Sequence, residues 1–324
     1  MSNQPTSRGT ALQSRLVCFA GFFSQEGFMK FAVSDVGTNS CRLLVAEVKD
    51  RSMNILEKKV VSTRIGEGLE NSGWINPNAI SRTLLCLSQF GQDIRKFQVD
   101  GSRVVATSAL RDAANREDFL HLAEKTIGIS VEVLSGEKEG QLSYLGAKGA
   151  LDLKRNPLVL DIGGGSTELI YQAGDIKSLS IPVGAVRGLE AGWNEEDIRA
   201  KLINLIPMQV QLRKMPLVLV GGTATSLVTI NKIMKEYDYQ QVHGERLTLR
   251  EINRIYHELD QMTVEERRQV PGLQPERADI IVKGIMIIKC LMELLNRRQA
   301  VVSDSDLLEG VIMELNQANQ GEKL

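Results

Sequence analysis

The sequence predicts a mixed α/β fold built from two duplicated halves. Three observations carry that expectation. The segments Phe31-Ala-Val-Ser-Asp-Val-Gly-Thr-Asn-Ser-Cys-Arg-Leu-Leu-Val-Ala-Glu-Val48 and Leu158-Val-Leu-Asp-Ile-Gly-Gly-Gly-Ser-Thr-Glu-Leu-Ile-Tyr171 share one plan: apolar strand, Asp, Gly-rich polar turn, apolar strand. Their aspartates, Asp35 and Asp161, lie 126 positions apart, too far for a solenoid repeat and about right for a domain-sized copy. Along the chain the apolar period alternates between strand-like and helix-like in the order β-β-β-α-β-α-β-α, and from Leu158 that order begins again.

Taken in order, residues 30–36, 41–48 and 54–63 read as strands of a meander. Pro77 to Phe97 reads as an amphipathic helix, with Ile80, Leu84, Leu87 and Ile94 on one face. Arg103 to Ala106 is a short strand, Arg111 to Ile127 a helix, Val131 to Leu134 a strand and Glu137 to Ala150 a helix. The second copy has strands at 158–161, 167–172 and 176–181, a helix over about 194–213, the strand Leu217 to Val220, and helices to about 295. Ala300 to Val302 is a last strand before the helix Ser305 to Leu315. Residues 29–135 then form the first domain and 136–304 the second, with the terminal helix (305–318) crossing back onto the first.

The chain of 324 residues, 43% hydrophobic and 24% charged, is long enough for two domains with substantial cores. A net charge of −1 argues against a large nucleic-acid surface, so no nucleic-acid duplex is expected as a partner, while a local basic lining remains compatible. Cys18, Cys41, Cys86 and Cys290 include no CxxC pair, which suits reduced thiols in a cytoplasm rather than zinc ligands. The apolar run Leu16 to Phe23 is too short to cross a membrane and lacks a small-residue cleavage site; residues 1–28 read as a disordered extension upstream of the first strand.

Five segments carry possible chemistry. In the turns Asp35-Val-Gly-Thr-Asn-Ser40 and Gly163-Gly-Gly-Ser-Thr167, glycines let backbone N–H groups approach a phosphate chain. Hydroxyls of Thr38, Ser40, Ser166 and Thr167 add donors, and Asp35 and Asp161 stand where a carboxylate holds a hydrated cation. Two such turns at matching positions make a two-sided phosphate clamp. Glu168 reads either as a second carboxylate near a common Mg²⁺ or as a solvated strand residue. In Leu134-Ser-Gly-Glu-Lys-Glu-Gly-Gln-Leu142, Ser135 is placed as a helix cap, and acidic residues in the first turn suit the helix dipole. At the junction of the halves, one of those carboxylates is also placed to act on a water as general base. Thr107-Ser-Ala-Leu-Arg-Asp112 brings Arg111 to a helix start, where its fork suits a phosphate oxygen but an ordinary surface arginine would also serve. Val218-Leu-Val-Gly-Gly-Thr-Ala-Thr-Ser226 runs a strand through Gly221 and Gly222 into a helix whose N–H donors, with Thr223, accept an anion. His121, His243 and His257 are too dispersed for a metal site.

Together with Pro182-Val-Gly-Ala-Val-Arg187, these blocks resemble the exopolyphosphatase and guanosine pentaphosphate phosphohydrolase family from about Met29 to the end. The resemblance implies two actin-like, ribonuclease H-like domains around a phosphate-binding cleft. It implies Mg²⁺-dependent release of the terminal phosphate from polyphosphate, or of the 5′-terminal phosphate from pppGpp, in the cytoplasm. Glu139 matches the glutamate that activates water, and Asp161 and Glu168 match acidic residues at the metal and phosphate site. Asn39, Ser40, Arg111, Gly164, Gly165 and Ser166 match phosphate-contacting positions. The usual Ser-Gly-X-Glu-Glu-Ala-Arg here becomes Ser135-Gly-Glu-Lys-Glu-Gly-Gln141, so Lys138, Gly140 and Gln141 depart from the family pattern. With no His-Asp cluster after Pro271, the short two-domain form is expected, and a homodimer is compatible with it. A phosphotransferase with an adenosine pocket around Gly221 and Gly222, and a weakly catalytic alarmone or polyphosphate sensor, are the competing readings.

Overall fold

A computed structural model describes residues 15–18, 27–50, 52–208 and 212–320. Two six-stranded sheets organise it. The first contains β1 (Arg15–Cys18), β2 (Met29–Val36), β3 (Cys41–Lys49), β4 (Ser52–Val61), β5 (Gly101–Ala106) and β6 (Val131–Val133), in the order β1-β4-β3-β2-β5-β6. The second contains β7 (Leu158–Ile162), β8 (Thr167–Ala173), β9 (Asp175–Ile181), β10 (Leu217–Val220), β11 (Arg246–Thr248) and β12 (Gln299–Val302), in the order β11-β12-β10-β7-β8-β9.

The duplication is topological. In each half three consecutive strands, β2–β4 and β7–β9, form an antiparallel meander, and two later strands add parallel beside its first: β5 and β6 next to β2, β10 and β12 next to β7. Parallel addition needs a crossover, and helices Pro77–Phe97 and Gly222–Asn231 lie within such connections. The central strands are buried on both faces, as the alternation along β2 shows. Ala32 and Val36 pack with Leu87, Phe90 and Ile94 of the helix Pro77–Phe97, whereas Phe31 and Val33 pack with Leu307, Val311 and Ile312 of the terminal helix Leu307–Asn319. Each such fully buried aliphatic or aromatic side chain contributes about 1.5–3 kcal/mol.

Two helices therefore meet between the sheets. The helix Gly136–Ala150 places Tyr144 and Ala147 against Val159, Ile170 and Val218, and it crosses the terminal helix at paired glycines. A Cβ on Gly146 would stand 1.9 Å from the Asp306 carbonyl oxygen, and one on Gly310 would stand 1.9 Å from that of Leu142. The backbones touch, and this contact fixes where the start of Gly136–Ala150 sits between the halves.

Several elements differ from expectation. The helix expected over 111–127 is two, Ser108–Asp112 and Arg116–Ile127, because Ala113 is extended and the Asn115 side chain exchanges hydrogen bonds with the Ile75 backbone at 2.8 and 3.1 Å. The helix expected over 194–213 is α-helical only through Glu195–Leu202 and tightens into a 3₁₀ stretch, Ile203–Met208; Pro207 within it has no N–H for an α-helical bond. The three-residue β11 falls where only helix was expected. Most of residues 1–28 lies outside the described residues, but Arg15–Cys18 pair antiparallel with β4. Those four residues, expected in an extension apart from the fold, instead satisfy backbone groups along an otherwise open sheet edge.

Candidate active site

The two glycine turns fold alike. Gly37 N–H donates to the Ser40 carbonyl at 3.1 Å, and Gly163 N–H donates to the Ser166 carbonyl at 2.9 Å. At both glycines a Cβ would stand 3.0 Å from that same carbonyl oxygen, so the tightness of each turn favours glycine. The remaining carbonyls turn outward: Thr38 O accepts from Gly66 N–H at 3.0 Å, Asn39 O from Arg64 N–H at 2.9 Å, and Gly164 O from Val186 N–H at 2.8 Å. Among the described residues the N–H groups of Gly164, Gly165 and Ser166 donate to no backbone carbonyl. The turns face each other closely, since a Cβ on Gly164 would stand 3.0 Å from Thr38 Cβ and one on Gly165 would stand 2.9 Å from Thr38 Oγ1.

Between them lies a cavity of about 100 Å³. Of the residues expected at the site it is lined by Asp35, Thr38, Asn39, Ser40, Glu139, Asp161, Gly163, Gly164, Gly165, Ser166, Gly222 and Thr223. Glu139 reaches it because Ser135 caps the helix Gly136–Ala150, accepting from Lys138 N–H at 3.2 Å, which places Glu139 in the first turn. Burial, reinforced by the neighbouring Glu168 charge, pushes the Glu139 carboxyl well above the ordinary range; an ion pair with Arg111 opposes that shift. Arg111 stands behind the cavity wall, donating also to Ser166 Oγ at 3.3 Å and to the Leu134 carbonyl at 3.1 Å. It joins the first half to the second half's glycine turn.

Two expected site residues take other roles. Thr167 donates its hydroxyl to the Val183 carbonyl at 2.6 Å and is fully buried, so it braces the turn instead of facing a phosphate. Glu168 is directly opposite Asp161 in the β7–β8 pair, but it does not line the cavity. Its Oε1 accepts from Ser166 Oγ and from Ser180 Oγ, both at 2.7 Å. Glu168 is not a solvated strand residue: it is buried and orients Ser166 from within the β-pair.

The departures in the segment around Glu139 have structural partners. The Lys138 ammonium pairs with Glu314 of the terminal helix, which also holds Arg103. At Gly140 a Cβ would stand 2.0 Å from Ser178 Oγ, so glycine lets this helix lie directly on β9. Gln141 donates to Glu137 within the same helix at 3.3 Å.

Sequence reasoning missed three charged residues. Arg42 lies between two carboxylates, donating through Nε to Asp35 Oδ2 at 2.9 Å and through a terminal nitrogen to Asp306 Oδ2 at 2.6 Å. Asp306 caps the terminal helix in a capping box with Glu309, a D-x-x-E signal that marks a helix start and not a site. Arg277 has no salt bridge among the described residues; burial and the adjacent Arg42 charge pull its pKa down to about 10. Its guanidinium abuts Gly222, where a Cβ would stand 2.0 Å away. Arg42, Arg277, Asp306, Gly221 and Gly222 also line a second, adjoining cavity of about 430 Å³.

The donor set suits a hard cation. Asp35 Oδ1 is buried without a hydrogen-bond partner, and burial raises its pKa. Asp161 is pushed up to about 7 by burial and by the Asp306 and Glu168 charges, while Ser143 donates to its Oδ2 at 2.8 Å. Excess carboxylate charge with an unpartnered oxygen is what a bound cation relieves. Among the described residues no three His, Cys, Asp or Glu side chains converge on one point. Mg²⁺ commonly uses one or two carboxylates, completing its shell with water and substrate oxygens.

Comparison with known proteins agrees with this geometry. Residues 44–318 match the model of the Ppx/GppA phosphatase family. The chain is 32% identical over 319 residues to a bifunctional 3-dehydroquinate synthase/phosphatase of Fusobacterium nucleatum, an alignment covering 90% of this chain and 47% of that longer protein. It is 30% identical over 313 residues to exopolyphosphatase 2 of Mycobacterium tuberculosis, covering 88% of this chain and 98% of that one. The solved Aquifex aeolicus PPX-GPPA enzyme superposes with a TM-score of 0.74 at 31% identity, over 89% of this chain and all of that one, 100%. With two halves of matching topology, facing glycine turns and a family match over most of its length, the chain belongs to the Ppx/GppA phosphatase family.

Proposed function

We propose that this protein is an exopolyphosphatase, releasing the terminal phosphate of inorganic polyphosphate by attack of a water activated by Glu139. The observation that carries this reading is the cavity of about 100 Å³ between the two turns, sized for one phosphoryl group and lined by Glu139. N–H groups of Gly164, Gly165 and Ser166 bind the terminal phosphoryl, with Thr38, Asn39, Ser40 and Thr223 completing the polar lining. Glu139, oriented by Arg111, takes a proton as the water oxygen bonds to phosphorus. The bridging P–O bond breaks, and its electron pair stays on the departing chain. Asp35 and Asp161 would hold Mg²⁺, which when bound supplies charge neutralisation at the phosphoryl oxygens. Arg277, with no carboxylate partner among the described residues, faces both cavities and so meets the departing phosphates.

A second reading is supported by the larger cavity. Its walls include Val60, Met234, Leu273 and Pro275 beside Lys58 and Arg277, a mixture of apolar surface and cations suited to the nucleoside and phosphates of pppGpp. Phosphate release should be measured from long polyphosphate, tripolyphosphate and pppGpp with Mg²⁺ and no acceptor. Release from polyphosphate supports the first reading, and release only from pppGpp the second. A requirement for ADP or a sugar would make the protein a phosphotransferase. Tight binding of these anions without turnover would make it a sensor.

A further inference from the structure

Each phosphate turn is tied to an arginine that also reaches across to the other half. In the second half, Arg187 Nε donates to the Gly165 carbonyl at 2.8 Å, while its two terminal nitrogens pair with Glu70 and Asp112 of the first half. In the first half, Arg64 N–H donates to the Asn39 carbonyl at 2.9 Å. Its guanidinium meets Asp279 of the second half at 2.7 and 2.9 Å and the Glu276 carbonyl at 2.7 Å. Arg64 does this from a left-handed backbone conformation, φ 52°, uncommon for a residue with a side chain. Glu190 reinforces the Arg187 side by accepting Gly68 N–H at 2.7 Å. This edge is not closed by core packing: Glu70, Asp112, Gly165, Arg187 and Glu190 border a further cavity of about 260 Å³. Polar contacts hold the halves together there, and such contacts break without emptying a core.

We propose that Arg187 is a positioning residue that couples closure of the cleft to the orientation of the second half's glycine turn. An arginine fork suits the task because one rigid group donates in several fixed directions at once. When the halves separate, Arg187 loses Glu70 and Asp112, and with them the restraint that aims the Gly165 carbonyl outward and its N–H face inward. The competent form is then a fraction of the population, and apparent affinity for a phosphate chain falls by that fraction. The kinetic part of this proposal rests on the exopolyphosphatase reading; the conformational part does not.

The test uses the full chain and two variants. E70Q/D112N weakens the contact across the cleft but leaves Arg187 on Gly165; R187M removes both. Solution scattering without ligand should give a larger radius of gyration for both variants than for wild type. With tripolyphosphate and Mg²⁺, E70Q/D112N should raise KM by about 10-fold with kcat unchanged, as expected when only the competent fraction is lowered. R187M should raise KM and also lower kcat. Wild-type scattering and wild-type KM in a folded E70Q/D112N would overturn the coupling, as would a lowered Tm accompanied by unaltered kinetics. If wild type turns over neither long polyphosphate nor tripolyphosphate, the functional reading fails alone, and scattering still decides the conformational claim.

Discussion

Arg111 and Glu139 form an ion pair that crosses the junction, a guanidinium from the first half resting on a carboxylate at the start of the helix Gly136–Ala150. Glu139→Gln keeps size and hydrogen bonding but cannot take a proton. It should lower kcat by about 10²–10⁴ with KM little changed, measured as phosphate release. Near-wild-type turnover would remove Glu139 from the chemistry.

The same pair sets the pH dependence. Burial raises the Glu139 pKa and Arg111 lowers it, and only the deprotonated form acts as a base. Activity should therefore fall on acidification at a pH above the ordinary carboxylate range. Arg111→Met, removing the lowering charge, should move that acid limb to higher pH. A limb that stays in place or moves down would show that Glu139 is not the titrating group.

Asp35→Asn and Asp161→Asn should each raise the Mg²⁺ concentration needed for half-maximal activity, since each removes charge from the cation's donor set. Glu168→Gln should behave differently. Because Glu168 acts through Ser166 and Ser180, kcat should fall while the Mg²⁺ titration is unaltered. A shifted titration for Glu168→Gln would return it to the cation site.

Arg277→Met removes a partly buried cation that has no carboxylate partner among the described residues. It should change stability by less than about 1 kcal/mol while raising KM at least about 10-fold through lost charge-assisted hydrogen bonds. Gly222→Ala should reproduce the KM effect by displacing the guanidinium that abuts it. Unaltered KM in both variants would remove Arg277 from the substrate path.

Gly146→Ala forces a methyl group against the Asp306 carbonyl at the helix crossing. Backbone on both sides leaves no flexible side chain to move, so a loss of about 1–3 kcal/mol in chemical denaturation is expected. Wild-type stability would mean the helices separate at no cost.

The sequence by itself determined the duplicated strand-turn-strand plan, the glycines and hydroxyls of each turn, and the place of Glu139 in the first helical turn behind the Ser135 cap. These are local: turn chemistry, capping and period two are set by neighbouring residues. Whether the helix over 111–127 would break at Ala113 was decided elsewhere, by Asn115 bonding the Ile75 backbone 40 positions away. Only the tertiary structure decided which carboxylates face the cavity. The sequence left Glu168 open between a cation site and a solvated strand face, whereas in the fold Ser180, arriving on β9, takes the Glu168 oxygen and Asp161 is left at the cavity wall. Arg42 and Arg277 carried no recognisable motif for the same reason, and the D-x-x-E signal at Asp306 marks a helix start but not a site. Their placement depends on the crossing of Gly146 and Gly310 that returns the chain's last helix to the first sheet, and a contact between residues 164 positions apart is set by packing of whole elements.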